Sequence, residues 1–411
     1  MNSYQLFNET GQDIEIDLSY SAKGFLHMRM YEVTTEKDRR DFLELPVSIY
    51  KNNPNWIRPL DKDIEEVFDP KKNKFFRKGE CTRWLLKDDK DKTIGRIAAF
   101  VNKAYKQEQP TGGIGFFECI NNRQAAYVMF DYCRDWLQER GMQAMDGPFN
   151  FGERDTWWGL QVEGFQPPMY RMNYNPPYYR ELFESYGFET YFDQLCFSLE
   201  VKNRLQEKFY HVHDVLSKDP DYKAIHYDKN RPEKFAKDFT HIYNLAWATH
   251  PGNKKMEERT MLKMLKSIRQ VVDERIIWFT YYKNEPIAFW LNLPDLNQYF
   301  KHFNGRFGLI EKLRLLWMKH FGRISRFTGL VFGVVPHFQG KGVDGYMIIE
   351  AAKVIQGKHL YDSYEMQWIG DFNPKMINIA QHLGTTMSRK LRTYRYLFDR
   401  TKEFKRHPVL K

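Results

Sequence analysis

The chain has 411 residues, 42% of them hydrophobic and 16% aromatic, and a formal net charge of +10. This length and composition exclude wholesale disorder and leave room for two domains, each with a core of its own. The positive balance favours an anionic partner, whether nucleic acid, anionic lipid or a phosphorylated small molecule.

In chain order, the same series of elements is expected twice, over residues 27–200 and 232–400. The first series opens on the strand "MRMYEV" and the helix "EKDRRDFLELPVSIYKN". The strands "CTRWLLKDD", "TIGRIAAFVNK" and "GGIGFFECI" follow, then the helix "RQAAYVMFDYCRDWLQERGM" and the buried strand "QAMDGPF". A short helix in "NPPYYRELFESYGF" and closing strands near "ETYFDQLCFSLEV" complete it. The polar stretch from Asn203 to Lys234 reads as the junction. The second series has the helix "FAKDFTHIYNLAWATH", the strands "RIIWFTYYKNE" and "PIAFWLNLPD", and the strand "TGLVFGVV" feeding a helix. Then come "YEMQWIGDF", the helix "NPKMINIAQHLGT" and last strands near "TMSRKLRTYRYLF". Each series ends in a hairpin and predicts an α+β layer with a mixed, twisted sheet flanked by helices. The expected division is 1–200 and 201–411.

Two segments interrupt this order. Residues 146–180 form a long aromatic loop in which Trp157, Trp158, Tyr170, Tyr174, Tyr178 and Tyr179 either line a pocket or pack on one another. Residues 301–326 hold seven Lys/Arg against one acid, Glu311. On a helical projection Phe307, Ile310, Leu313, Leu316, Trp317, Phe321 and Ile324 share a broad face beside Lys312, Lys319 and Arg323. Such a helix packs on its own domain, presses on a membrane or lipid-like substrate, or fills a partner's groove.

The richest motif is "VVPHFQGKGVDGY", residues 334–346, between a buried strand and a helix. Backbone N–H groups at a helix start, with nothing but hydrogen on Gly340 and Gly342, make a nest for an anion, and Lys341 adds charge. A kinase-type phosphate loop is excluded, because it needs glycine at Val335 and Ser or Thr at Gly342. The Rossmann G-x-G-x-x-G is absent as well.

These residues resemble the pyrophosphate turn of the GCN5-related N-acetyltransferase (GNAT) family, written V-x-P-x-x-Q-G-K-G-I-G. Pro336, Gln339, Gly340, Lys341 and Gly342 fall on the pattern. Asp344 departs from it, placing a carboxylate where a small residue is expected. Asn373, opening the helix after the fifth strand, matches a second landmark of the family. The resemblance covers most of residues 232–400 and, more loosely, 27–200, and it implies a tandem pair of GNAT-type domains. It implies acetyl-CoA or another acyl-CoA as co-substrate, held by Val334, Val335, Gln339, Gly340, Lys341, Gly342, Val343 and Asn373. In the first half the corresponding turn, "ECINNRQAA", has no glycine pair, so that half is expected to be degenerate.

Amine acylation needs a base for the ammonium, a polarised carbonyl and an acid for the leaving thiolate. The family's usual acid is a tyrosine four residues before a glycine, and measured from Gly384 that place holds Ala380. Glu365 and His337 are the leading base candidates, with His250 and Glu118 behind them. The expected activity is acyl transfer to an amine, with a tilt toward a lipidic one. The alternative is a non-catalytic acyl-CoA sensor or scaffold, argued from Ala380 and Asp344. No HExxH or ligand-spaced cysteines point to a metal, no G-x-S-x-G to a serine hydrolase, and no motif to nucleic acid. Scattered Cys81, Cys119, Cys133 and Cys196 read as reduced thiols, and the polar, acidic start reads as neither signal nor transit peptide. The expected location is cytoplasmic, with peripheral membrane contact through residues 301–326.

Overall fold

The computed structural model describes residues 3–7, 13–17, 28–103, 107–154, 156–246 and 255–410. The first half comprises β1 (Ser3–Phe7), β2 (Asp13–Asp17), β3 (Arg29–Glu32), α1 (Glu36–Ile49), α2 (Asp61–Phe68), β4 (Gly79–Lys87), β5 (Thr93–Asn102), β6 (Thr111–Cys119), α3 (Arg123–Gln138), β7 (Ala144–Gly147), β8 (Leu160–Glu163), α4 (Tyr179–Tyr186) and β9 (Glu189–Glu200). The second comprises α5 (Glu207–Leu216), β10 (Tyr222–His226), α6 (Pro232–Ala246), α7 (Glu258–Ile268), β11 (Trp278–Tyr282), β12 (Glu285–Pro294), α8 (Asn297–Phe300), α9 (Leu309–Phe321), β13 (Arg326–Val334), α10 (Val343–Gly357), β14 (Ser363–Gly370), α11 (Pro374–His382) and β15 (Thr386–Leu397). The repeated α+β series is present. The stretch read as a polar junction itself folds, into α5 and β10.

Both halves contribute to one 13-stranded sheet, ordered β10-β11-β12-β13-β14-β9-β15-β7-β6-β5-β4-β3, with β8 also on β15. The sequence led us to expect a closing hairpin in each half. Instead each half ends in one long strand that crosses to the other. β9 pairs antiparallel with β14, β15 pairs antiparallel with β7, and β9 and β15 pair with each other. The apolar side chains make the exchange favourable. Tyr394 of β15 is fully buried in the first half's core, 5.5 Å from the Phe183 ring. Phe197 of β9 is buried against Ile369 and Ala380 of the second half.

Within each half the strand before the main helix runs parallel to the strand after it: β6 with β7, and β13 with β14. The β13–β14 pairing begins at Arg326↔Ser363 and ends at Gly329↔Met366. Beyond it β13 continues to Val334 and β14 to Gly370 unpaired with each other, which opens a cleft at the carboxyl ends of two parallel strands. Ligand crevices of α/β sheets form at such places.

Candidate functional site

The cleft leads into a cavity of about 220 Å³ between the sheet, α5, α10 and α11. Its walls are mostly apolar: Phe327, Phe332 and Met366 from the sheet, Phe209 and Val212 from α5, Ile348 from α10, and Met376 and Ile379 from α11. Gly342, Asp344 and Gly345 also line it, so the cavity is continuous with the start of α10.

That start is built as the sequence requires. Gly340 and Gly342 adopt φ of +72° and +79°, the left-handed region that a side chain disfavours. Gly342 is the N-cap of α10, and no side chain caps the first turn. Gln339 closes the loop by donating from Nε2 to the Val334 carbonyl at 3.0 Å. Lys341 is exposed, and Val334, Val335 and Val343 are buried in the core, where they anchor the turn through backbone and packing. A Cβ on Gly340 would meet nothing within 4 Å, whereas one on Gly342 would lie 2.2 Å from Val212. Gly340 is therefore the open wall of the nest and Gly342 the packed one. In the first half the equivalent helix start is closed, because Asn122 caps α3 by accepting from the Ala125 N–H at 2.9 Å.

Asp344 faces this cavity. The field of its carboxylate opposes a bound anion, so Asp344→Asn is expected to tighten CoA binding several-fold. Gly340→Glu, adding a second carboxylate in open space, is expected to weaken it at least tenfold. Calorimetric titration of CoA into the full-length protein measures both, and equal affinities in the two variants would remove the anion from this turn.

Other expected site residues are placed differently. Asn373 is the N-cap of α11, its side chain accepting from the Met376 N–H at 3.3 Å. His337 is exposed, off the cavity wall, with Nε2 3.5 Å from Lys341 Nζ. His250 lies outside the described residues.

The base role expected of Glu365 does not fit its surroundings, and this is a correction. On β14 the neighbours Tyr364 and Met366 line the cavity, so strand alternation turns Glu365 to the opposite face. There it is 2% exposed and fully engaged. It accepts from Arg389 Nε at 2.6 Å and Nη2 at 3.0 Å, from Arg326 Nη1 at 3.2 Å, and from Ser388 Oγ at 3.0 Å. Arg326 also holds Asp295 at 2.7 Å, and both arginines donate to the Pro167 carbonyl at 3.3 Å. A carboxylate with these partners positions structure; here it ties the aromatic loop to the second half.

Glu118 is likewise interior. It sits in a second cavity of about 70 Å³ that also touches Trp157, Tyr170 and Tyr174 of the aromatic loop. Tyr50 and Tyr179 donate to its Oε2 at 2.9 and 2.8 Å, and Arg96 lies 3.5 Å from Oε1. Burial pushes its carboxyl up, against the pull of Arg96 and the two hydroxyls.

Sequence reasoning missed Tyr364. Its ring is buried on the cavity wall, and its hydroxyl accepts from Trp290 Nε1 at 3.3 Å, which leaves the hydroxyl proton available. Gly329 makes room for it, since a Cβ there would lie 2.1 Å from that hydroxyl. Burial pushes the phenol above its ordinary value of 10, so it stays protonated at neutral pH. Ala380, the family's tyrosine position, is fully buried against Phe197 and Ile369.

No protein-family model matches the chain. Among solved structures it is similar to a tandem GNAT protein from the clavulanic acid biosynthesis pathway, with a TM-score of 0.52 at 9% identity, covering 90% of this chain and 98% of that one. The chain has the tandem GNAT fold. The GNAT region of a fungal multi-domain GH3 β-N-acetylglucosaminidase gives a TM-score of 0.53 at 10% identity, covering 94% of this chain and 39% of that one. Among curated proteins the chain is 26% identical over 373 residues to a bacterial ceramide synthase of Caulobacter vibrioides (strain NA1000 / CB15N), covering 88% of this chain and 95% of the relative. It is 24% identical over 369 residues to Protein YghO of Escherichia coli (strain K12), covering 87% and 93%. Among the described residues no helix is long and apolar enough to cross a membrane, and no group of His, Cys, Asp and Glu is arranged to hold a metal.

Proposed function

We propose that this protein is an acyl-CoA-dependent N-acyltransferase whose acceptor is a lipidic amine. The observation that carries the reading is the continuity of the left-handed glycine turn at α10 with an apolar cavity at the β13–β14 divergence. The turn offers uncapped N–H groups to a pyrophosphate, and the cavity offers an apolar slot to the thioester arm. Acetyl-CoA and longer acyl-CoAs are both candidate donors. The match over 88% of this chain and 95% of a relative named a ceramide synthase supports the lipidic acceptor. On this reading the protein works in the cytoplasm, and residues 301–326 are its point of contact with a membrane.

In the step itself the neutral amine attacks the thioester carbonyl carbon. The C–N bond forms, the C–S bond breaks, and the amine's surplus proton leaves to solvent. The CoA thiolate takes a proton from the Tyr364 hydroxyl, which solvent then restores. The second half supplies the cofactor turn and the proton donor. The first half, with its helix start capped by Asn122, shapes the acceptor side.

The test is incubation of the purified protein with acyl-CoAs of two to sixteen carbons and a long-chain amine, following free thiol and amide product by mass spectrometry. Thiol release matched by amide is the expected result. CoA binding without amide from any amine would favour the sensor reading, which so far rests on Ala380 and Asp344 alone.

A further inference from the structure

The helix α9 has two apolar faces and packs only one of them. Leu315 is buried and Met318 half-buried against the core that holds Phe300, Phe303 and Ile324. On the other side Leu309, Ile310, Leu313, Leu316, Trp317 and Phe321 are between 54% and 76% exposed. At about 100° per residue they fall on one stripe along the helix, with the exposed His320 the one polar side chain of α9 within it. Six of the fourteen exposed large hydrophobic side chains among the described residues therefore lie on this 13-residue element. Folded surfaces do not carry such a patch without a use for it.

The border of the stripe is basic. Helical spacing puts Lys312 and Lys319 along one edge and Arg314 along the other, all exposed, with Arg323 just past the end. Some of this charge is already in use. Lys319 donates to the Gln270 carbonyl, Arg314 to the His302 carbonyl at 3.1 Å, and Arg323 to Asp362 at 2.7 Å. Glu311, the helix's one acid, is turned back to accept from the Gly308 N–H at 2.8 Å. No carboxylate of α9 therefore sits on the exposed stripe.

An apolar stripe flanked by cations matches the layered chemistry of a bilayer surface, where apolar side chains reach the acyl boundary and lysine and arginine remain among anionic headgroups. A second copy of the chain is a poorer fit, because a two-fold contact would bring two basic borders together. We propose that α9 docks this protein on an anionic lipid bilayer, inserting its outer stripe at the acyl–headgroup boundary. The inner aromatic contacts carry the position of that surface inward: Phe307 touches Phe300 and Phe303, and the Phe300 ring lies 5.0 Å from Tyr170 of the aromatic loop. The proposal rests on the acyl-transfer reading only for its purpose, which is to meet a lipidic acceptor where it resides.

The experiment is co-sedimentation of the full-length protein with vesicles of phosphatidylcholine, with and without 30% phosphatidylglycerol, at low and high salt. Retention on the anionic vesicles at low salt is expected, with at least tenfold weaker partitioning at high salt or on pure phosphatidylcholine. The double variant Leu313→Ser, Trp317→Ser changes exposed residues only, and should lower partitioning at least tenfold with an unchanged melting temperature. Wild-type protein that stays in the supernatant at low salt would overturn the proposal, as would a double variant that still sediments. A dimer in velocity sedimentation that the same variant abolishes would assign the face to a second copy instead. Turnover of a short-chain, water-soluble amine should be equal in wild type and variant. Vesicle binding without any turnover would leave the docking standing and the acyl-transfer reading refuted.

Discussion

Replacing Tyr364 by phenylalanine is expected to lower kcat for acyl transfer by about 10²–10⁴, the range for loss of a positioned acid. The substitution removes one oxygen from a buried ring and keeps its packing. CoA affinity should therefore change little, because the substitution leaves the glycine turn and its N–H groups as they are. That split, a fall in kcat with CoA binding kept, separates a proton donor from a packing residue. The pH profile gives a second readout. With the phenol held above 10 by burial, the wild-type rate should rise as the amine loses its proton and show no decline from loss of the phenol proton up to about pH 10. An unchanged kcat in the variant would transfer protonation of the thiolate to water.

The second large effect is on stability. Arg389 is fully buried, and burial, which opposes its charge, is outweighed by Glu365, which holds its guanidinium charged. Arg389→Met leaves the Glu365 carboxylate with Arg326 as its remaining cation, takes the arginine donor from the Gln166 carbonyl and leaves the Pro167 carbonyl to Arg326. Removing one member of a buried ion pair costs about 3–5 kcal/mol. The urea midpoint should fall accordingly, and the double variant Glu365→Gln, Arg389→Met should recover part of the loss, since it no longer strands a charge. Additive losses would mean that the two side chains act independently.

These two residues also mark the limits of the sequence. The turn at Gly340 and Gly342 was legible because only glycine makes such a nest at no cost, and its neighbours repeat a known pattern. Tyr364 was hidden, since its place depends on a glycine 35 positions earlier and on where two parallel strands part. Glu365 was misread for a different reason. In "SYEMQWIG" polar and apolar residues alternate from Ser363 to Trp368, so the pattern already set Glu365 on the face opposite Tyr364 and Met366. The misreading followed the strand's place beside the cleft and not the side chain's face. For α9 the sequence revealed an apolar face but not that Leu315 and Met318 on the other side do the packing. The exchange of β9 and β15 left no local trace, because each strand reads the same whichever half it completes.

That exchange bears on how the protein comes into being on the ribosome. When residue 200 emerges, the first half has β7 exposed as a bare sheet edge, and its partner β15 is encoded almost 190 residues later. β14, paired on one side with β13, has on its other side a partner made long before it, β9. The sheet's central seam is thus the last part to form, and pairings of such long range are slow. Until then two open edges face each other within one chain, the arrangement that invites pairing with a neighbouring chain instead. A nonsense codon anywhere before residue 386 would leave the molecule permanently in that unsealed condition. Conversely, fragments 1–200 and 201–411 made together in one cell could each supply the strand the other lacks.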